Sequence, residues 1–247
     1  MSNLSNIGFP VSGEQEFVDL VNRAAPLATS VPVNGCEYLL YHDKSGAELW
    51  IQIDADGQLI GMNPHFHGES RRRVCLESSL PNSEHPLDGS FSAWANPAVE
   101  TDPESGDYPF VFDVPDFLAI PEIPFPKTLT IQLAAFPSEL YCYKDAETFR
   151  KQQDEVVKLA ARSFIPSGFF RPDGEETPTQ ALGFFCGEVK SFANKTNALT
   201  GQSFIWILVE TLGGEVDVVV DPGLLTELPA KGNIVSGQFW LSGRILL

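Results

Sequence analysis

Residues 74 to 126 contain no lysine and no arginine, although the same stretch contains ten carboxylates and nine prolines. Over the whole chain, 33 acidic residues outnumber 16 basic ones, and the net charge is -17. Binding to a phosphate backbone or to anionic lipid depends mostly on Lys and Arg. The sequence therefore argues against nucleic acid and against a membrane surface as partners.

The sequence also has no closely spaced pair of cysteines. The four cysteines lie far apart among apolar or aromatic neighbours, and no Cys-x-x-Cys occurs, which excludes the common structural zinc and thioredoxin-like sites. This usage is typical of buried free thiols in a reducing compartment. The N-terminus shows no secretory signal, and no apolar run reaches the roughly 20 residues of a spanning helix. We therefore expect a cytoplasmic protein.

The chain lacks the common catalytic signatures as well. It has no Gly-x-Ser-x-Gly elbow, no phosphate-binding Gly-x-x-x-x-Gly-Lys-Ser/Thr and no Gly-x-Gly-x-x-Gly. These absences favour a protein without a nucleotide or dinucleotide cofactor. They also favour a non-enzymatic role, although they leave the question of catalysis open.

The hydrophobic periodicity predicts an α+β fold dominated by antiparallel sheet. One amphipathic helix is expected from about Gly13 to Ala25, after a capping-box pattern at Ser12, and another from Asp145 to about Ser163. The predicted strands are Glu37 to His42, Glu48 to Asp54, Gln58 to Met62, Arg71 to Leu76, Pro109 to Asp113, Thr128 to Phe136, Glu139 to Tyr143, Leu182 to Lys190, Ser203 to Thr211, Glu215 to Asp221 and Ile234 to Leu247.

The length and the distribution of helix breakers predict two domains. Residues 1–164 form an N-terminal α+β domain in which the acidic, proline-rich residues 74–126 are an insertion. Residues 165–180 are dense in Pro, Gly and charge and are expected to be a linker. Residues 181–247 form a second, β-rich domain.

In this second domain, three strands, a short helical turn from Leu224 to Leu228 and a glycine-kinked return strand follow in order. That order is similar to an OB-fold β-barrel. The resemblance implies a binding module for oligonucleotides, oligosaccharides or proteins. One interpretation is that the domain binds single-stranded nucleic acid by stacking bases on Phe185, Phe204, Trp206 and Trp240. The domain has few basic residues to support such binding, so the other interpretation is that these aromatics are core residues.

The concentrated acidity points to the main functional hypothesis. We expect a non-enzymatic binding protein that presents an acidic surface to a basic protein or peptide, because such charge speeds encounter and selects the sign of the partner. The residues assigned to this surface are Glu100, Asp102, Glu104, Asp107, Asp113 and Asp116.

A metal site is the alternative hypothesis. In an extended segment, alternation would turn His65, His67 and Glu69 to one side. Two imidazoles and one carboxylate suit a divalent transition metal with open positions, with a carboxylate such as Asp113 as general base. Solvated loop histidines explain the same residues.

Two further groups each have a functional and a structural interpretation. The basic run Arg71-Arg72-Arg73 is either an exposed strand edge with internal salt bridges or an anion site. The aromatics around Tyr108, which include Trp94, Phe110 and Phe112, either anchor a long loop onto the core or form a sugar platform beside paired acids.

Overall fold

The computed structural model describes residues 2–153, 158–169 and 179–246. Within these residues the chain is mostly β, with two short α-helices. The helices are α1 (Glu14–Ala24) and α2 (Ala146–Gln152). The strands are β1 (Thr29–Val33), β2 (Cys36–His42), β3 (Ala47–Ile53), β4 (Leu59–Phe66), β5 (Arg72–Pro81), β6 (Gly89–Ala95), β7 (Pro109–Asp113), β8 (Lys127–Tyr143), β9 (Ser163–Ile165), β10 (Leu182–Thr196), β11 (Ser203–Thr211), β12 (Gly214–Val220) and β13 (Ile234–Leu246).

The first predicted helix is confirmed as α1. Its start is fixed by Ser12, whose backbone N and Oγ donate to Glu16 Oε2 at 2.7 and 2.9 Å. The N-cap residue is Gly13 and no side chain caps it, but the two bonds from Ser12 hold the Glu16 carboxylate in the first turn, where the helix dipole favours negative charge. Leu20 and Ala24 are buried in the core beneath the helix.

Strands β1 to β4 form an antiparallel meander, as the sequence predicts for the three later strands. The turn between β2 and β3 requires a glycine at position 46, because Gly46 has a φ of 96°. A side chain would also not fit there, since a Cβ on Gly46 would lie 2.8 Å from the carbonyl oxygen of His67, just after β4. Strand β4 continues to Phe66, four residues beyond its predicted end, so the candidate metal motif begins inside a strand.

The other nine strands form one mixed sheet in which the long antiparallel pair β8 and β13 is central. Pairings β10–β11, β11–β12, β12–β8 and β13–β10 close a five-stranded ring on one side of this pair. Pairings β8–β5, β5–β6, β6–β7 and β7–β13 close a second ring on the other side. The two rings share β8 and β13.

This topology bears on the predicted domains. Strand β8 belongs to residues 1–164 and pairs along its length with β13 of residues 181–247. One hydrophobic cluster also contains residues from both parts, among them Phe112 and Phe239. The division into two domains is therefore not confirmed. Nothing identifies the first ring as an OB fold, which stays a prediction.

The acidic, proline-rich residues 74–126 are part of the sheet rather than an insertion outside it. They contribute eight of the ten residues of β5 and the whole of β6 and β7, the three strands that complete the second ring. Phe110 and Phe112 are fully buried there, and Ala93 and Leu76 lie in the same cluster. Seven of the nine prolines and eight of the ten carboxylates lie outside β5, β6 and β7.

The second predicted helix is shorter than expected, because α2 ends at Gln152; residues 154–157 lie outside the described residues. Ser163, its predicted end, begins β9 instead, which pairs with β10 through Phe164 opposite Phe185. The predicted linker therefore starts inside the sheet at Ile165, and its residues 170–178 lie outside the described residues.

All four cysteines are free, with Cys75 and Cys186 buried and Cys36 and Cys142 half-buried. Neither helix in the described part of the chain has the length and apolar character needed to cross a membrane.

Candidate functional site

Four of the six carboxylates assigned to the acidic surface lie on one loop. Residues 96–107, all but the last residue of the connection between β6 and β7, are called the acidic loop below. It carries Glu100, Asp102, Glu104 and Asp107, and all four are exposed. The structure thus gathers these four carboxylates within twelve residues of chain.

The acidic loop is held by hydrogen bonds rather than left loose. The Asn96 backbone N donates to the Arg73 carbonyl oxygen at 2.9 Å, and Thr128 Oγ1 donates to the Glu100 carbonyl oxygen at 2.7 Å. Inside the loop, Ser105 Oγ accepts from the Val99 backbone N at 2.9 Å and donates to the Asp102 carbonyl oxygen at 2.6 Å. These bonds leave the carboxylates facing solvent on a fixed backbone.

Cations are scarce around the acidic loop. Arg73 Nη2 lies 3.9 Å from Glu100 Oε1, and the side chain of Arg73 also donates to the Pro97 carbonyl oxygen. Among the described residues no other ion pair reaches the four carboxylates. An exposed pair of this kind contributes only about 0–1 kcal/mol, so most of the loop's negative charge is available to a partner.

Asp113 and Asp116 lie elsewhere and are largely buried. Asp116 Oδ2 pairs with Arg244 Nη2 at 3.0 Å. Asp113 accepts from Ser90 Oγ at 2.6 Å and from Trp240 Nε1 at 2.5 Å. Burial raises the pKa of both carboxyl groups. The assignment of these two residues to the acidic surface is therefore corrected: Asp113, at the end of β7, is covered by its contacts with Ser90 and Trp240, and Asp116, in the turn after β7, is covered by its pair with Arg244.

His65 and His67 have different surroundings. His65 is fully buried, with Nδ1 2.8 Å from Ser242 Oγ and Nε2 2.9 Å from Gln132 Oε1. Burial lowers its pKa to about 4, so the imidazole is neutral near pH 7. Both ring nitrogens are thereby occupied by hydrogen bonds within the protein.

His67 lies beyond the end of β4, where strict alternation stops, and is exposed. Its nearest titratable neighbours are His42, with ring centroids 5.6 Å apart, and Glu48, whose Oε1 is 4.0 Å from His67 Nδ1. The contact of Glu69 with the protein interior is made by its backbone N, which donates to Oδ1 of the buried Asp217 at 3.0 Å. Within the described residues, no three His, Cys, Asp or Glu side chains are arranged to hold a metal ion.

The three consecutive arginines have separate roles. Arg71 is exposed, Arg73 supports the acidic loop, and Arg72 is buried with 1% of its surface exposed. The expectation of an exposed basic edge is therefore wrong for Arg72, whose guanidinium is covered by the rings of Tyr108, Phe110 and Phe164. That stack of aromatic rings also places Tyr108 and Phe110 in the core rather than on a sugar platform.

The aromatics proposed for nucleic-acid stacking are also mostly inside. Phe185 and Phe204 are fully buried, and Trp206 is 6% exposed with its Nε1 donating to Asp217 Oδ1 at 2.8 Å. Trp240 is half-buried and packs on Phe136, with ring centroids 5.0 Å apart. Three of these four aromatics are therefore core residues.

Comparison with known proteins adds no family to this geometry. No family model, no curated protein and no solved structure matches the chain.

Sequence reasoning missed several residues that line the polar parts of the structure. Asp88 and Ser90 lie at the start of β6, where the Asp88-Gly89 dipeptide signals a turn but gives no hint of a cleft. Val99, at 52% exposure, is an apolar side chain at the surface of the acidic loop. The sequence shows that it directly precedes Glu100, but does not show that its side chain is exposed.

The buried state of His65 predicts a pH-dependent stability. Its folded pKa of about 4 lies below the ordinary value of 6.5, so protonation favours the unfolded chain. The stabilising contribution is complete above about pH 6.5 and is lost as pH falls toward 4. Between pH 7 and 5 we expect the free energy of unfolding to fall by about 2 kcal/mol more in the native protein than in H65Q.

Urea denaturation at both pH values measures this difference, and H85Q, which alters an exposed histidine, is the matched control. Parallel pH profiles for the native protein and H65Q would contradict a buried, neutral His65.

Proposed function

We propose that this chain is a non-enzymatic binding protein whose acidic loop recognises a basic protein or peptide. The observation that carries the proposal is the exposure of Glu100, Asp102, Glu104 and Asp107 on one loop, with a single described ion pair, from Arg73, among them. Asp113 and Asp116 have no part in this surface.

The fixed backbone of the acidic loop supports a binding role. A loop that is already ordered in the free protein loses little conformational freedom when it binds a partner, so more of the contact energy appears as affinity. The bonds from Thr128 and Ser105 supply this order. The exposed side chain of Val99, directly before Glu100, adds an apolar contact next to the charged group.

The carboxylates themselves set the rate and the sign of recognition. Complementary charge accelerates encounter and excludes partners of like charge, more than it adds net affinity. Exposed charges are screened beyond about 10 Å at 0.1 M salt. Binding through this loop should therefore weaken steeply as salt increases. The four free thiols support the expectation that such a partner is met in the cytoplasm.

A capture experiment tests the proposal. The full chain is immobilised, exposed to native lysate and eluted at low and then high salt, beside E100Q/D102N/E104Q/D107N. A charge-matched control, E14Q/D19N/D56N/E139Q, neutralises two Glu and two Asp that are exposed elsewhere. We expect a basic partner that high salt releases, that the control retains and that the loop variant loses. A partner retained equally by both variants would contradict the role of the loop.

A further inference from the structure

A polar cleft lies where Asp113 meets β6 and β13, away from the acidic loop at the opposite end of β6. It has two parts, a small cavity of 130 Å³ and a larger space of 890 Å³. Both parts are lined by Asn82, Ser90, Asp113 and Trp240. The two parts together are called the Asp113 cleft.

Among the described residues, the charges that line the Asp113 cleft are all of one sign. Asp88 lines the small cavity, Glu84 lines the larger space, and Asp113 lines both; no described Lys, Arg or His lines either part. Anionic ligands are therefore disfavoured. A cation placed between these carboxylates would gain from every one of them.

The two inner carboxylates receive hydrogen bonds from neutral donors. Asp113 accepts from Ser90 and Trp240, and Asp88 Oδ1 accepts from Gln52 Nε2 at 2.5 Å and from Asn63 Nδ2 at 2.7 Å. In the part of the chain that the structure describes, neither carboxylate forms an ion pair, although Asp116 nearby in sequence is paired with Arg244. Each ionised carboxylate can accept about four hydrogen bonds, so both retain capacity for a further donor.

Burial without a counter-charge has a cost. It disfavours the ionised form of Asp113 and raises the pKa of its carboxyl group, to which the charge of Asp88 adds. A bound cation would remove that cost by supplying the missing counter-charge, and cations also interact favourably with an indole such as Trp240.

The shape of the cleft restricts the cation further. The small cavity of 130 Å³ has room for a compact head group. The larger space has apolar surface from Leu80, Pro81 and Leu182, which suits an alkyl stem, and Glu84 lies on its lining. The arrangement fits a compact charged head on a hydrocarbon chain.

We propose that the Asp113 cleft binds a primary alkylammonium group, with the ammonium between Asp113 and Asp88 and the alkyl stem along Leu80, Pro81 and Leu182. Three donors on the ammonium match carboxylate acceptors. The group can belong to a free alkyl diamine or to a lysine side chain. This site does not depend on the acidic loop.

Isothermal titration of the full chain at low salt tests the site with three probes. They are cadaverine, its neutral analogue 1,5-pentanediol and the peptide acetyl-Gly-Lys-Gly-amide. We expect saturable one-to-one binding of cadaverine or of the peptide, and the probe that binds more tightly identifies the source of the amine. Pentanediol should bind at least about tenfold more weakly, which is equivalent to about 1.4 kcal/mol.

D113N should weaken amine binding at least about tenfold, while D56N, the same change at an exposed turn, leaves it unchanged. L182W enlarges a side chain on the lining of the larger space while keeping every carboxylate, and should also weaken binding, which keeps the test valid if D113N is unstable. The loop variant should bind cadaverine normally. Absence of saturable binding of both amines, equal binding of pentanediol, or unchanged affinity in D113N and L182W would overturn the proposal.

Discussion

Replacing Asp217 with alanine is expected to lower the free energy of unfolding by about 4 kcal/mol or more. Asp217 is fully buried and accepts four hydrogen bonds. The donors are Trp206 Nε1 at 2.8 Å, Gln132 Nε2 at 2.8 Å, Glu69 N at 3.0 Å and Ser70 N at 2.9 Å. Alanine would remove this acceptor from three buried donors and from the part-buried Glu69 N, and each unsatisfied buried group costs about 1–3 kcal/mol.

The position of Asp217 makes the effect global. It lies on β12 opposite Ala134 of β8, and it also fixes the chain between β4 and β5 through two backbone N–H groups. One carboxylate thus joins the meander to the first ring. Gly68 is required by the same contact, since a Cβ there would lie 2.2 Å from the Asp217 carboxylate.

Urea denaturation measures both residues. G68A should be strongly destabilised through displacement of the carboxylate, and D56A, an exposed aspartate in a turn, should change the free energy by less than about 0.5 kcal/mol. A loss below about 1 kcal/mol in D217A would contradict the importance of this network.

The second large effect is expected at Arg72, where alanine should cost about 3 kcal/mol or more. Its Nε donates to the Gly213 carbonyl oxygen at 2.9 Å and its Nη2 to the Leu212 carbonyl oxygen at 2.5 Å. The Arg72 Cζ lies 5.5 to 5.8 Å from three ring centroids, those of Phe164, Phe110 and Tyr108. The side chain therefore links β5 with the β11 to β12 turn and with aromatic side chains from beside or within β7 and β9.

Two variants separate charge from shape at this position. R72K keeps the charge but loses the planar fork that reaches several acceptors, and should recover only part of the stability. R71A, at the exposed neighbour, is the control and should be nearly neutral. Equal stability of R72A and R71A would show that the guanidinium contributes no more than a surface charge.

Local pattern was sufficient for much of the secondary structure. Strand β7 has its predicted bounds, α1 differs by one residue at each end, and the turn at Asp56-Gly57 precedes β4 as expected. These elements have strong alternation or a clear cap close in sequence. Strand β6 was missed, because its run of small Ser and Ala residues lacks the β-branched side chains that usually indicate a strand.

The arrangement of the strands could not be predicted in the same way. The pairing of β8 with β13 joins segments far apart in sequence, and periodicity within one segment does not identify its partner. The same limit affected the site. Four carboxylates of the acidic loop were identified correctly as exposed, but the burial of Asp113, Asp116 and His65 depends on strands that only the folded chain brings beside them.

The central claim is that the position of the acidic charge, rather than its amount, determines binding. Fluorescence anisotropy with a labelled octapeptide of alternating Lys and Arg tests it directly at about 50 and about 300 mM NaCl. The loop variant E100Q/D102N/E104Q/D107N and the control E14Q/D19N/D56N/E139Q carry the same net charge. We predict at least about tenfold weaker binding for the loop variant at low salt, about 1.4 kcal/mol, and affinity close to native for the control. Equal affinities for the two variants would contradict the account.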